Sequence, residues 1–150
     1  MKKTAEKFRL VLADDDLDDC EMFRLALEQI GGNIALEVFH NGKLLLEYLE
    51  ALDSELPHLV FLDLNMPIMS GHETLREIRT SRKLDALSVA IYSTSSSERD
   101  IELTLSLGAN VYINKPSSFK KLHEILRKVL EANWQVHSSG LNRNTFCLSV

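Results

Sequence analysis

No stretch of this 150-residue chain approaches the roughly 18–20 consecutive apolar residues that a membrane-spanning helix needs. The two early lysines of "MKKTAEKFRL" have no apolar core of signal-peptide length behind them. A membrane protein or secreted precursor is therefore not expected, and the chain reads as cytoplasmic. Cysteine is scarce. Cys20 and Cys147 stand far apart without metal-like spacing, which excludes a disulfide scaffold and reads as two reduced thiols. Positive charge also falls short: 17 Lys and Arg against 22 Asp and Glu give a formal charge of −5. That balance, with no helix-turn-helix pattern or basic stripe, argues against a nucleic-acid surface. Three prolines and six glycines are too few for a disordered or fibrous composition, and no internal repeat or low-complexity segment is visible.

What is present is an ordinary globular composition, 45% apolar and 26% charged, on a chain long enough to bury one real core. Five short apolar runs mark strands: "FRLVLA" (8–13), "IALEVF" (34–39), "HLVFLDL" (58–64), "SVAIYS" (88–93) and "NVYIN" (110–114). "LVFL" is continuous rather than alternating, as suits a central strand covered on both faces. Helical periodicity fills the intervals at 17–30, 42–52, 71–82 and 97–107, and again at 118–132. Met22, Phe23, Ala26, Leu27 and Ile30 form one stripe; Leu44, Leu45, Tyr48, Leu49 and Leu52 form another. In the last helix Phe119, Leu122, Leu126, Val129 and Leu130 share a face opposite Lys120, Lys121, Glu124, Arg127 and Lys128. Gly31-Gly32, Asn41-Gly42 and Gly108 punctuate the helices. Repeated strand–helix units imply an α/β fold, a parallel sheet with helices on both faces.

The first strand runs into five aspartates between positions 14 and 19. Asp16 suits a helix N-cap, and Asp18 and Asp19 suit the first turn, where the helix dipole favours acid. Asp14 and Asp15 precede the helix and need a partner. Ligands of such sheets bind at the carboxyl ends of strands, where Asp14, Asp15, Asp63 and Lys115 all fall. Three carboxylates in one crevice repel, at a cost on the order of 4 kcal/mol for a pair about 4 Å apart. A divalent cation relieves that, and oxygen-only donors without a His or Cys cluster point to Mg²⁺. Mg²⁺ keeps waters and binds one or two carboxylates plus a phosphate oxygen, so the crevice suits phosphoryl chemistry.

The acidic pair 14–15, "FLDLNMP" (61–67), the hydroxyl of "IYSTS" (91–95) and "GANVYINKP" (108–116) together resemble the receiver domain of two-component response regulators. Ser93 lies 30 residues after Asp63 and Lys115 lies 52 after it, spacings that match the family. The resemblance spans about 8–132 and implies a doubly wound, flavodoxin-like five-stranded parallel sheet of order 2-1-3-4-5 with five helices. It also implies roles. Asp63 would accept a phosphoryl group; Asp15 would bind Mg²⁺ directly, Asp14 through water, and Asn65 through its carbonyl. Lys115 would neutralise a phosphoryl oxygen, and Ser93 would donate its hydroxyl to another. Backbone N–H groups of Asn65 and Thr94 would complete the cradle. Ser93 and Tyr112 would form the switch, the aromatic moving inward when the hydroxyl meets phosphate. A cis Lys115–Pro116 bond is implied as well.

Each residue has a plainer reading. Asp14 and Asp15 alone are equally helix-entry acids, Ser93 an ordinary strand-end hydroxyl and Lys115 a surface lysine. His40, His58, His72, His123 and His137 read as surface or packing residues. Asp63 resists a plain reading, because an unpaired carboxylate inside an apolar run is expensive. The expected function is a stand-alone receiver phosphorylated by a histidine kinase or histidine phosphotransfer protein and signalling through a downstream protein target. Two alternatives stand beside it: a degenerate receiver used as a binding module, and a Mg²⁺-dependent phosphatase with an aspartyl nucleophile. The phosphatase needs a second acid two residues after its nucleophile, where this chain has Asn65.

The domain expectation is a receiver over 1–132 and a tail over 133–150 with no separate output domain. Within the tail "TFCLSV" alternates as a half-buried strand does, and suits either a sheet edge or a loose terminus. Ile101, Thr104, Leu105 and Gly108 are expected to face the sheet, and Leu103 and Leu107 the opposite side. That places a dimerisation or partner surface on the fourth helix, fifth strand and fifth helix.

Overall fold

β-Branched and other apolar residues in runs of four to six alternate with amphipathic helices along the chain, and each run becomes a strand. The computed structural model describes residues 7–53, 55–131 and, nearer the C-terminus, the backbone of 147–148. The elements are β1 (Phe8–Ala13), α1 (Leu17–Ile30), β2 (Ile34–Phe39), α2 (Gly42–Ala51) and β3 (Leu59–Leu62). They continue as α3 (Gly71–Thr80), β4 (Val89–Ser93), α4 (Glu98–Ser106), β5 (Val111–Asn114), α5 (Phe119–Glu131) and β6 (Cys147–Leu148).

Five strands run parallel in the order 2-1-3-4-5, as expected, and β6 adds a sixth beside β5. The pair Tyr112↔Cys147, Ile113↔Leu148 makes it parallel too. Of the two readings of "TFCLSV", the sheet edge is the one seen at these two residues; the rest of 132–150, with His137, lies outside the described residues.

Alternation along β1 divides the core into two layers. Val11 and Ala13 join Leu45, Leu49, Leu75 and Ile78 under α2 and α3, while Leu10 and Leu12 join Phe23, Ala26, Leu122 and Leu126 under α1 and α5. β3 carries side chains into both layers and is buried throughout. Most of the helical stripes are inside, with three corrections. Met22 and Leu44 are 38% and 46% exposed, so each sits at the outer edge of its stripe. Ile125, not counted in the last helix, is buried between Leu122 and Leu126.

Further expectations are corrected at β3, at Pro116 and on α4. β3 stops at Leu62 rather than at residue 64, because Leu64 N–H turns to the carboxylate Oδ1 of Asp63 (2.8 Å) instead of a ladder carbonyl. No described peptide bond is cis, so Lys115–Pro116 is trans, the form an X–Pro bond ordinarily favours by about 0.5–1 kcal/mol. On α4, Ile101 and Thr104 are buried and Leu105 packs on the core, as expected, while Gly108 is exposed. Leu103 and Leu107 are half-buried, not free to solvent. Leu107 caps the helix, its N–H reaching Leu103 and Leu105 carbonyls, and this turn returns its side chain to the core.

Gly71 fixes where α3 begins relative to β3. Its N–H donates to the Leu64 carbonyl at 2.9 Å, and a Cβ there would lie 2.2 Å from the Asp63 carbonyl oxygen. Backbone cannot yield as a flexible side chain does. Gly71→Ala should therefore lower stability by about 2 kcal/mol or more, read as a drop in urea midpoint at unchanged slope.

Candidate phosphoryl site at the strand ends

The register decides which side chains meet. Ala13 pairs with Leu62, so Asp14 and Asp63 are the next residues of neighbouring strands. Ser93 pairs with Asn114, one residue before Lys115. Backbone bonds extend past the ladders and hold this edge: Asp14 N–H to Phe39 O, Asp63 N–H to Ala13 O (both 2.9 Å) and Lys115 N–H to Ser93 O (2.8 Å). Asp14 (0% exposed), Asp63 (6%) and Ser93 (0%) are buried, whereas Asp15, Asn65 and Thr94 are exposed.

One carboxylate oxygen from each of Asp14, Asp15 and Asp63 lies within 4.8 Å of the others. Lys115 answers the charge. Its Nζ stands 2.8 Å from Asp14 Oδ2, 2.8 Å from Asp19 Oδ2 and 3.3 Å from Asp63 Oδ2. It also lies 5.5 Å from the centroid of the buried Tyr92 ring, a cation–π contact. Burial alone would discharge Lys115; Asp14 and Asp19, helped by Asp63, overcome it and hold the ammonium charged well above its ordinary range.

The pairing is good for the lysine and incomplete for the acids. Asp14 Oδ1 accepts from Asp16 N–H at 3.0 Å, but Oδ2 has no directed hydrogen bond and is held by the ion pair alone. Burial, partly opposed by Lys115 and reinforced by the Asp63 charge, pushes the Asp14 carboxyl up to about 6. A buried carboxylate oxygen held by an ion pair alone, beside two more carboxylates and no soft ligand, fits a hard divalent cation.

Asp14, Asp15, Asp63, Asn65, Ser93, Thr94 and Lys115 follow or end their strands at this edge, whereas Tyr112 lies within β5. Tyr112 is 2% exposed and points inward, its hydroxyl donating to the Ser95 carbonyl at 2.7 Å. Ser93 Oγ accepts from Ser95 N–H at 3.1 Å, which leaves its proton free to donate. Asp19, expected only as a first-turn helix acid, joins the site through Lys115. Its place in the first helical turn explained it locally, yet α1 begins at the strand end, so an acid there reaches Lys115. His40, expected as a surface or packing residue, places its Nδ1 3.0 Å from the Asp14 carbonyl oxygen. Cys20 Sγ bonds that same carbonyl at 3.4 Å. Burial, with the Asp14 charge, pushes its thiol up to about 12, so it is a packing group and not a nucleophile.

Residues 10–127 match the model of the response regulator receiver domain. The chain belongs to this family. It is 33% identical over 129 residues to the probable methanogenesis regulatory protein FilR2 of Methanothrix harundinacea, covering 84% of this chain and 83% of that protein. The phosphorylated cyanobacterial phytochrome response regulator RcpA superposes with a TM-score of 0.78 at 28% identity, covering 84% of this chain and 93% of that one. The Mn²⁺-bound form of response regulator Rcp1 gives a TM-score of 0.74 at 25% identity over 89% and 96%. Receiver domains are signalling modules rather than conventional enzymes, and this receiver has no helix, among its described residues, long and apolar enough to cross a membrane.

The acid cluster sets a pH signature for the receiver without metal. Asp14 titrates near 6 when folded and near 3.8 when unfolded, so its neutral form favours the fold. That contribution is complete below about 4 and is lost as pH rises through about 6. Asp14→Asn should therefore gain stability over the wild type across this window. In EDTA at pH 7–8 the gain should be on the order of 1–3 kcal/mol by chemical denaturation.

Proposed function

We propose that this chain is a phosphorylation-dependent switch in a histidine-kinase relay, with Asp63 as the acceptor. The observation that carries this reading is the placement of Asp63 Oδ2 3.3 Å from the Lys115 ammonium, inside the three-carboxylate cluster. Asp63 Oδ1 is tied to Leu64 N–H, which fixes the plane of the carboxylate.

In the reaction an Asp63 carboxylate oxygen attacks the phosphorus of a phosphohistidine on a kinase or phosphotransfer protein. The phosphorus–nitrogen bond breaks, and the imidazole leaves with the electron pair. Asp14, Asp15, Asp63 and the Asn65 carbonyl would hold Mg²⁺, which supplies charge neutralisation when bound. The Mn²⁺-bound Rcp1 structure supports a divalent cation in this family. Lys115 releases part of its pairing with the carboxylates and neutralises a phosphoryl oxygen as a point charge. Ser93 donates its hydroxyl to a second oxygen, and backbone N–H groups of Asn65 and Thr94 cradle the rest. Tyr112, already inward, fills the space behind Ser93. Phosphorylation then shifts an existing equilibrium of the β4–α4 region. Output passes to a protein target by surface contact in the cytoplasm, and the α4–β5–α5 face is the candidate for a target or a second copy.

Acetyl phosphate with Mg²⁺ should add a single phosphate to the wild type, seen as one mass increment in intact-protein mass spectrometry. Asp63→Asn should remain folded and take up none, because an amide does not attack phosphorus. Equal labelling of the variant would overturn the assignment of Asp63.

A further inference from the structure

A chain of side-chain bonds runs from the first turn of α3 to the loop behind Ser93, and the phosphoryl chemistry makes no use of it. His72 Nε2 lies 3.1 Å from Asp100 Oδ1. The other oxygen, Asp100 Oδ2, accepts from Ser95 Oγ at 2.6 Å. Ser95 is then engaged at every polar atom. Its N–H donates to Ser93 Oγ at 3.1 Å, and its carbonyl accepts from Tyr112 Oη at 2.7 Å and Asn114 Nδ2 at 3.0 Å. We propose that His72 and Asp100 are positioning residues that hold Ser95 where its carbonyl receives Tyr112, so that the switch is set inward before any phosphate arrives.

The geometry supports this over a merely local role. Asp100 sits in the first turn of α4, and its own N–H bonds the cap residue Ser97 at 3.1 Å. Local capping explains that bond but not His72, which comes from 28 positions earlier in the chain. His72 in turn follows Gly71, whose backbone is locked against Leu64 and Asp63. The bridge therefore ties the switch loop to the same backbone that carries the acceptor. Both ends are partly shielded from water, with side-chain exposures of 23% and 27%. The Ser95 hydroxyl, with help from Ser97 and His72, keeps the Asp100 carboxyl below its usual range, in the charged form that accepts both bonds.

An inward-set loop lowers the conformational work left for the phosphoryl group, and loosening it reduces the competent fraction. Apparent affinity for a phosphoryl mimic falls by that same fraction. This inference rests on the receiver reading for its ligand measurement but not for its structural one.

The test uses full-length protein labelled with 3-fluorotyrosine, with the Tyr112 resonance assigned from Tyr112→Phe. In the unliganded protein His72→Ala and Asp100→Ala should both move that resonance toward the solvent-exposed position. His72→Gln, which keeps a donor, should restore it. With Mg²⁺ and beryllofluoride, the two alanine variants should need about fivefold more beryllofluoride for half-saturation, with Mg²⁺ affinity unchanged. His72→Ala leaves the α4 cap intact, so its effect cannot come from helix capping. A Tyr112 resonance identical in wild type and His72→Ala overturns the proposal. A wild type that binds no beryllofluoride overturns the receiver reading instead, and the unliganded resonance still decides the bridge.

Discussion

One ammonium facing three carboxylates is the interaction on which the strand-end edge of this molecule depends. Lys115 neutralises part of the charge that Asp14, Asp19 and Asp63 bring to the carboxyl edge of the sheet. With Asp15 also at the cluster, acid exceeds base there even after the lysine is counted. Paired charges away from water are costly to break but contribute little net stability. The edge is thus poised: folded with lysine alone, yet still short of positive charge.

That shortage links the fold to its chemistry. The register puts Asp14 beside Asp63, and Ser93 beside the residue before Lys115, so the sheet itself brings these side chains to one edge. The sheet supplies the rigidity, its core strand β3 buried on both faces. In the connection after β4, Ser95 touches Ser93, Tyr112, Asn114 and Asp100 at once. A residue bonded on every polar atom has few ways to move singly.

Sequence reasoning reached the parts governed by period and spacing. Apolar runs and helical stripes marked the first five strands and the five helices, their carboxyl ends located the crevice, and the resemblance of four motifs supplied the strand order. It fell short where a contact joins distant elements. Asp19 had a sufficient local explanation as a helix-entry acid, and nothing in its neighbours reveals a lysine 96 positions later. His72 looked like one of several scattered histidines, because its partner Asp100 is set by how α3 and α4 dock. Leu107 was read from helical angles that end at Ser106, one residue before the chain turns it inward. The β6 pairing was visible only as an alternation with two possible fates.

The claim that the carboxylate cluster awaits a divalent cation is the centre of this account. Its most direct measurement is a melting curve titrated with Mg²⁺ from zero to tens of millimolar at constant ionic strength. The wild type should gain stability along a single-site saturation curve, following ordinary ligand linkage. The variant carrying Asp14→Asn and Asp15→Asn should start higher and show no response. A wild-type Tm indifferent to millimolar Mg²⁺, or a double variant that responds like the wild type, would contradict it.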